Sequence, residues 1–351
     1  MSTSQSLQAP KPSRAVSIWL ISVWSMILAM VLVGGITRLT GSGLSMVEWH
    51  PLMGAVPPIG EAQWNEVFEL YKESPQYQKV NQWMDLESFK SIFFWEYIHR
   101  LIGRLIGVVV LVPCLYFMAR KKLSRSLAWK SMFAIFLGGL QGLLGWYMVK
   151  SGLVDDPAVS HFRLAAHLML AFLVGQWILW MWLDLRYQGR PMQNVDPATC
   201  RSMCGFLALL LIQIIYGAFV AGLRAGHMAM TFPDMNGYYL PQHFFEEGGL
   251  WHNLLHAPLA VHYLHRLIAL LALIWGLKLF LRIRKQQNDG TLMLANRSLL
   301  VLLLVQVGLG IYTVLSFISV PVAVAHQGTA YLLTGSVFVL LHRSRVEPLS
   351  H

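Results

Sequence analysis

The sequence predicts an all-α polytopic membrane protein whose eight transmembrane helices form two repeat-related four-helix bundles. Of its 351 residues, 56% are hydrophobic and 13% are charged, whereas a soluble domain carries about a quarter charged residues. The apolar residues fall in runs of about twenty, the length at which a helix crosses roughly 30 Å of hydrocarbon. One short segment also occurs twice, and internal repetition indicates a duplicated architecture.

The repeated segment reads EYIHRLI at 96–102 and HYLHRLI at 262–268. Each copy begins a long apolar run, so each places a His-Arg pair where a helix enters the membrane. A second match, between QGLLGWYMV at 141–149 and QVGLGIYTV at 306–314, has nearly the same offset. The repeat therefore extends over both halves, and its most informative difference is Glu96 against His262.

The first half contains predicted spans at about 15–36, 98–118, 131–149 and 164–183. Residues 1–15 are polar and are predicted to form a disordered cytoplasmic tail. The N-terminal bundle covers 16–183 and includes a long polar outer loop at 37–95. Gly138 and Gly142 in the third span have GxxxG spacing, from which we expect the close approach of another helix.

The second half follows a polar cytoplasmic linker at 184–202. Its predicted spans lie near 203–222, 264–281, 298–318 and 322–341. The C-terminal bundle therefore covers 203–342, with an outer loop at 223–262 and a cytoplasmic tail at 343–351. The three cysteines form no CxxC pair, which excludes a disulfide framework and a thiolate metal site.

The distribution of charge predicts the orientation of the chain. Both tails and the segments after spans two, four and six are basic, whereas the outer segments of the first half carry the acidic residues. By the positive-inside rule, both termini face the cytoplasm and the long loops face outward, in a cell inner (cytoplasmic) membrane. The net charge of +10 is then explained by cytoplasmic segments next to membrane lipid, and no nucleic-acid partner is expected.

Histidines concentrate at the outer ends of the even-numbered spans: His99, His167, His265 and His326. Two histidines that project from different helices of a bundle can bind a haem iron from both sides. Zinc sites use three or four ligands, whereas each bundle offers two histidines and no nearby thiolate. A lone intramembrane histidine more often bonds a neighbouring helix, but four at equal, repeat-related depth favour a functional role.

The fourth span offers two candidates, His161 and His167. Six residues correspond to about 240° of helix rotation, so both side chains cannot face the interior. An ungapped repeat alignment pairs His161 with His326, and a gapped one pairs His167 with it. We favour His167 because it lies inside the apolar run. The spacing of His252 and His256 leaves a surface metal site as a lesser alternative.

Four arginines lie at the same outer boundary as the histidines, where haem propionates would emerge, because guanidinium pairs well with carboxylate. They are Arg100, Arg104, Arg163 and Arg266. The alternative is that these side chains extend to lipid headgroups. Arg38 and Arg224, after spans one and five, are weaker candidates.

Glu96 precedes His99 by three residues and therefore lies on the same helix face. Near a porphyrin edge, a carboxylate can act as a general base or stabilise developing positive charge. Glu96 can equally pair with Arg100 one turn along, and both roles are compatible. If both halves hold a haem, the change to His262 separates a reaction centre from an electron-transfer centre.

Several long segments resemble the haem A synthase family, specifically its proteobacterial and mitochondrial branch. They are GGITRLTGSGLSMVEWHPLMGAVPP (34–58), EYIHRLIGR (96–104), QGLLGWYMVKSGL (141–153), RLAAHL (163–168), GAFVAGLRAG (217–226), HYLHR (262–266) and AHQ (325–327). The resemblance implies an oxidoreductase that hydroxylates a ring methyl of haem O successively, to a gem-diol that loses water. The product is haem A, which bears a formyl group and serves terminal oxidase assembly.

The resemblance also implies the role of each half. Substrate haem O would lie between His99 and His167, with Glu96 in the chemistry, and a haem b between His265 and His326 would relay electrons. Some bacterial members carry cysteine pairs in the outer loops, and this chain has none there. A thiol role is therefore not carried over. The expected partners are a membrane haem O synthase and an unidentified electron donor, with homo-oligomerisation left open.

Two other functions compete with this hypothesis. A di-haem b-type cytochrome that only transfers electrons would share the histidine pairs, but it gives no reason for Glu96 to differ from His262. A transporter with parallel repeats would place its polar residues near the bilayer midplane, whereas these histidines lie at the outer edge.

Overall fold

The computed structural model describes residues 13–47, 56–153, 159–190, 192–241, 249–286 and 290–345. Within these ranges eight long helices are apolar enough to cross a membrane. They are α1 (Arg14–Leu39), α3 (Leu86–Ala119), α4 (Arg125–Gly152), α5 (His161–Arg186), α6 (Pro197–Gly222), α8 (Pro258–Arg284), α9 (Gly290–Leu315) and α10 (Val320–Arg343). The prediction of an all-α polytopic membrane protein with eight spans is confirmed.

The remaining elements are short. Helices α2 (Gly60–Lys72) and α7 (Gly249–Leu255) lie in the two long connections. The two-residue strands β1 (Gln193–Asn194) and β2 (Ser344–Arg345) pair in parallel and join the α5–α6 connection to the end of α10. Predictions for the N-terminal tail before residue 13 and for the C-terminal tail beyond 345 concern residues outside the described ranges.

The segment predicted as an outer loop at 37–95 is largely helical. Helix α3 begins at Leu86, twelve residues before the predicted span, because the Asp85 carboxylate caps it by accepting a hydrogen bond of 2.8 Å from the Ser88 amide. The early turns of α3 are apolar on one side, where Phe89 and Phe93 pack in a buried cluster with Tyr71 of α2. Polar residues interrupt the apolar run at this point, so a hydropathy pattern does not show the extension.

Four helices form the inner layer of the protein. Helix α1 packs against α3, α5 and α10, and α5 packs against α6 and α10, whereas α3, α4, α8 and α9 are less buried. Side-chain amides of two glutamines join the two halves across this layer. Gln176 Nε2 donates to Tyr331 O at 3.1 Å, and Gln327 Nε2 donates to Val31 O at 2.8 Å. In an apolar environment such bonds between helices add to the packing of small and aromatic side chains.

Candidate functional site

A continuous cavity of about 2460 Å³ extends through both halves of the protein. Small-molecule pockets typically enclose about 300–1,000 Å³, so this cavity has room for two large ligands. All four predicted histidines line it: His99 from α3, His167 from α5, His265 from α8 and His326 from α10. His99 and His167 belong to helices of the first half, and His265 and His326 to helices of the second, so each half contributes one pair of histidines to the cavity.

Each of the four imidazoles packs against a glycine of a neighbouring helix. An added Cβ on the glycine would lie 3.0–3.2 Å from Cε1 of the ring, at Gly34 for His99, Gly145 for His167, Gly217 for His265 and Gly310 for His326. Only a residue without a side chain lets the ring approach the helix backbone this closely. These contacts join different helices and are not visible in the sequence, although Gly145 and Gly310 lie in the repeated segments 141–149 and 306–314.

Three of these glycines have a glutamine four residues earlier, which is one helix turn away. Gln141 Nε2 lies 3.3 Å from both ring nitrogens of His167. Gln213 Nε2 lies 3.4 Å from His265 Nε2, and Gln306 Nε2 lies 3.3 Å from His326 Nε2. On α1 the corresponding residue is Met30, which also lines the cavity. The position one turn before Gly34 therefore carries a thioether, where the other three glycines are preceded by an amide.

Glu96 lies next to His99 in the cavity and is 2% exposed. Its Oε2 accepts hydrogen bonds from Ser45 Oγ at 2.7 Å and from the Met46 amide at 2.9 Å. Its Oε1 accepts a bond of 2.5 Å from Arg100 Nη2, which also donates to Met46 O at 3.0 Å. The ion pair with Arg100 is therefore formed, and three donors hold the carboxylate as an acceptor.

His262 occupies the corresponding place in the second half and is also 2% exposed. Arg266 Nε lies 3.2 Å from His262 Nε2, and Arg266 Nη2 donates to Ala229 O at 3.0 Å. Arg266 thus anchors the segment after α6 as Arg100 anchors the segment after α1. Its Nη1 donates to Asp234 O at 2.8 Å. A hydrogen bond from the Thr231 hydroxyl lowers the pKa of the Asp234 carboxyl.

A polar network in the connection between α1 and α3 supports the turn that holds Glu96. Gln76 Nε2 donates to Gly41 O at 2.7 Å, and the Tyr71 hydroxyl donates to Gln76 Oε1 at 3.1 Å. Asn81 Nδ2 in turn donates to the Tyr71 hydroxyl at 2.8 Å. Burial raises the pKa of Tyr71, which keeps the phenol neutral. The segment predicted as an outer loop is therefore part of the wall of the site.

The candidate arginines do not all reach the cavity. Arg100, Arg104 and Arg266 line it, as do Arg38 and Arg224. Arg38 Nη2 donates to Ala221 O at 3.0 Å and to Gly222 O at 3.2 Å, which links the end of α1 to the end of α6. Arg163 instead lies over the ring of Tyr147 at 4.5 Å and donates to its hydroxyl at 3.2 Å, so its contacts are with α4.

His161, the other candidate of the fourth span, faces away from its neighbour His167. Its Nε2 lies 2.9 Å from Leu255 O, and its ring contacts Phe219 edge-on. The His252 and His256 rings stack with their centroids 5.4 Å apart. Across the ranges that the structure describes, His, Cys, Asp and Glu side chains form no group of three or more that could hold a metal ion.

The GxxxG glycines of α4 have a different environment from the one that we expected. A Cβ at Gly138 or Gly142 would meet no heavy atom within 4 Å, and both residues line the cavity. The expectation of a close helix contact at this motif is therefore wrong. Helix α4 packs mainly on α5, and the small residues enlarge the space between α4 and the histidines.

Eight apolar helices around a cavity lined by two histidine pairs define a polytopic membrane protein with a large internal ligand-binding space. The family model named COX15-CtaA, described as "Cytochrome oxidase assembly protein", matches residues 17–338. The chain belongs to this family.

Similar proteins from three bacteria are each named "Heme A synthase". The protein from Nitrosospira multiformis is 44% identical over 347 residues, which cover 98% of this chain and 96% of the relative. The protein from Rhodospirillum centenum is 43% identical over 344 residues, covering 97% and 90%. The protein from Parvibaculum lavamentivorans is 41% identical over 332 residues, covering 94% of each. The similarity therefore extends over almost the full length of both partners.

Proposed function

We propose that this protein is a haem A synthase, an oxidoreductase that converts haem O to haem A by oxidising a ring methyl to a formyl group. One observation carries the proposal: two histidine pairs line a single cavity, and a buried carboxylate, Glu96, accompanies only one of them. The names of the full-length relatives support the same activity. The asymmetry between the halves is what an enzyme requires, whereas a protein that only transfers electrons has no need of it.

The residues of the cavity suit two haem groups. Imidazoles from facing helices are the ligands that haem iron binds on both sides, and the Gly34, Gly145, Gly217 and Gly310 contacts hold the rings at the cavity wall. His99 and His167 would hold substrate haem O in the N-terminal bundle, 16–183. His265 and His326 would hold haem b in the C-terminal bundle, 203–342. A bound haem b supplies one-electron transfer.

The arginines would bind the propionates of both groups. Arg104 lines the cavity one turn along α3 from Arg100, and guanidinium forms strong charge-assisted bonds with carboxylates. Arg100 and Arg266 already donate to backbone carbonyls of the outer segments, so each would connect a propionate to the wall of the site. Arg163 would support the site only through Tyr147, because its guanidinium lies against that ring.

Glu96 would carry the acid–base chemistry of the reaction. Its carboxylate lies one helix turn from His99 and lines the cavity, where it can accept the proton released as the ring methyl is oxidised. It can also stabilise positive charge that develops on that carbon. Ser45, the Met46 amide and Arg100 hold the carboxylate in place. The matching residue His262 bonds Arg266 instead, so the second half lacks this group.

The proposal includes an orientation and partners. Both termini would lie in the cytoplasm and both haem sites near the outer face of the inner membrane, as the distribution of basic residues predicts. Haem O would arrive from a membrane haem O synthase, and an electron donor would act through the C-terminal half. These partners follow from the chemistry of substrate and product.

The proposed activity is tested by supplying haem O to membranes that contain the protein and lack any other source of haem A. We expect haem A to accumulate, measured by chromatography and mass of the extracted haems. Unmodified haem O together with bound b-type haem would instead support the di-haem cytochrome. Extraction of the haems from the purified protein identifies what each preparation holds.

The two histidines of the fourth span are expected to respond differently to substitution. His167→Ala removes a ring from the cavity, so we expect loss of haem O conversion. His161→Ala removes a hydrogen bond to Leu255 O, worth about 1 kcal/mol, so we expect conversion close to wild type. The measurement is haem A formed per mole of purified variant. The reverse ranking would make His161 the ligand.

The glycine contacts give a second prediction. Gly310→Ala places a Cβ 3.0 Å from Cε1 of His326, and overpacking costs about 1–3 kcal/mol. We therefore expect haem b affinity to fall roughly 5-fold or more. Gly308→Ala on the same helix is the control, since its Cβ would meet no atom within 4 Å. Equal haem b retention in both variants, measured from the reduced spectrum, would contradict the proposed role of the glycine.

A further inference from the structure

Ser45 contributes a side-chain hydrogen bond to Glu96 from outside the helix of Glu96. It follows the 3₁₀ turn Ser42–Leu44 after α1 and is completely buried. Its hydroxyl donates to Glu96 Oε2 at 2.7 Å, and the amide of the next residue, Met46, donates to the same oxygen at 2.9 Å. A residue 51 positions away in the chain therefore fixes one oxygen of the carboxylate, while Arg100 holds the other.

The second half shows what replaces Ser45. The chain after α1 turns at Gly41 with a φ of 67°, and the chain after α6 turns at Arg224 with a φ of 52°; a 3₁₀ turn follows each. Met46 and Ala229, which lie just after these turns, also correspond. Arg100 donates to Met46 O and Arg266 donates to Ala229 O, both at 3.0 Å. This register pairs Ser45 with Met228.

Met228 cannot perform the role of Ser45. Its thioether has no hydrogen to donate, and the residue is 50% exposed. The two halves therefore differ at two positions together. One half has Ser45 with Glu96, and the other has Met228 with His262. Both halves keep the arginine, which is Arg100 in the first and Arg266 in the second.

We infer that Ser45 is the positioning residue of Glu96, and that the two residues form the reactive unit which distinguishes the converting half from the other half. This inference rests on the proposed function for its catalytic consequence. Without the hydroxyl, Oε2 keeps only the Met46 amide, and the carboxylate can rotate about its Cγ–Cδ bond away from the substrate. A misplaced base lowers the rate of the chemical step without weakening haem O binding.

The test compares Ser45→Ala with Ser42→Ala in the purified, haem-loaded protein. Ser42 is also completely buried in the same turn, but its hydroxyl bonds Thr40 Oγ1 at 2.6 Å. For Ser45→Ala we expect kcat to fall about 10-fold or more, the loss of one bond to a charged group. We expect KM and haem b content to stay unchanged. Ser45→Thr keeps the hydroxyl and should restore kcat, and Ser42→Ala should keep it.

A second measurement does not depend on turnover. Redox-triggered infrared difference spectra report the carboxylate stretch of Glu96, identified as the band that Glu96→Gln removes. In Ser45→Ala we expect this band to shift, and in Ser42→Ala to stay in place. A shifted band in a protein that forms no haem A would preserve the inference about Ser45 and refute the proposed function. An unshifted band, or equal kcat losses in the two alanine variants, would overturn the inference.

Discussion

A Glu96→Gln variant is expected to bind haem in both halves and to form haem A roughly 100-fold more slowly or worse, the usual contribution of a general acid–base group. Glutamine has the shape of glutamate, so Ser45 and the Met46 amide still find an oxygen to bond. It cannot take a proton or balance positive charge. The fold and the histidine pairs therefore remain while the chemistry is lost. Haem A formed from haem O is the measurement, with haem b content of the same sample as a check of integrity.

The matched control for this variant is Glu87→Gln on the same helix. Glu87 is exposed and pairs with Lys90 at 2.6 Å on the surface, where an ion pair adds little to stability. We expect its activity to equal that of the wild type. If Glu96→Gln were fully active, Glu96 would have no part in the mechanism. A simultaneous loss of haem b would show that the change had disturbed the fold.

A His265→Ala variant is expected to lose haem b while the protein remains folded. Removing a partner that merely orients a metal ligand costs about 10–100-fold in affinity, and removing the ligand itself costs more. His265 packs on Gly217 at the cavity wall, so alanine leaves open space and causes no steric clash. We also expect haem A formation to fail, because electrons from the donor would no longer pass through haem b to the substrate half. The reduced-minus-oxidised spectrum measures the haem b that remains.

His252→Ala is the control for the loss of a histidine as such. This residue is exposed, and its ring stacks on that of His256 with the centroids 5.4 Å apart. We expect wild-type haem content in that variant. Normal haem b in His265→Ala would exclude His265 as an axial ligand and would require a different residue to face His326.

The number and positions of the spans could be predicted because each depends on local composition. A run of about twenty apolar residues has one stable arrangement in hydrocarbon, a helix. The start of α3 could not be found in this way, since it depends on a cap at Asp85 and on burial of Phe89 against α2. These contacts join segments whose relation is not visible in a hydropathy pattern.

In the candidate site, too, some residues can be predicted from local sequence and others only from contacts between helices. The four histidines and Glu96 could be selected from their repeat-related positions, and all of them line the cavity. Their partners lie on other helices, as with Ser45 and Gly34, and only the packing reveals them. Arg163 was expected at the propionates from its depth alone. The guanidinium of Arg163 instead lies against Tyr147 on the neighbouring helix. The depth of a residue in the membrane does not specify the direction of its side chain.

The bond between Arg38 and Ala221 joins the two halves in a one-sided way. Arg38 lies four residues after Gly34, and Ala221 lies four residues after Gly217, so each occupies the same position in its own repeat. Ala221 offers only its backbone carbonyl, so the guanidinium reaches from the first half to the second and no side chain reaches back from this position. The contact between the halves therefore depends on Arg38 and not on the side chain at position 221.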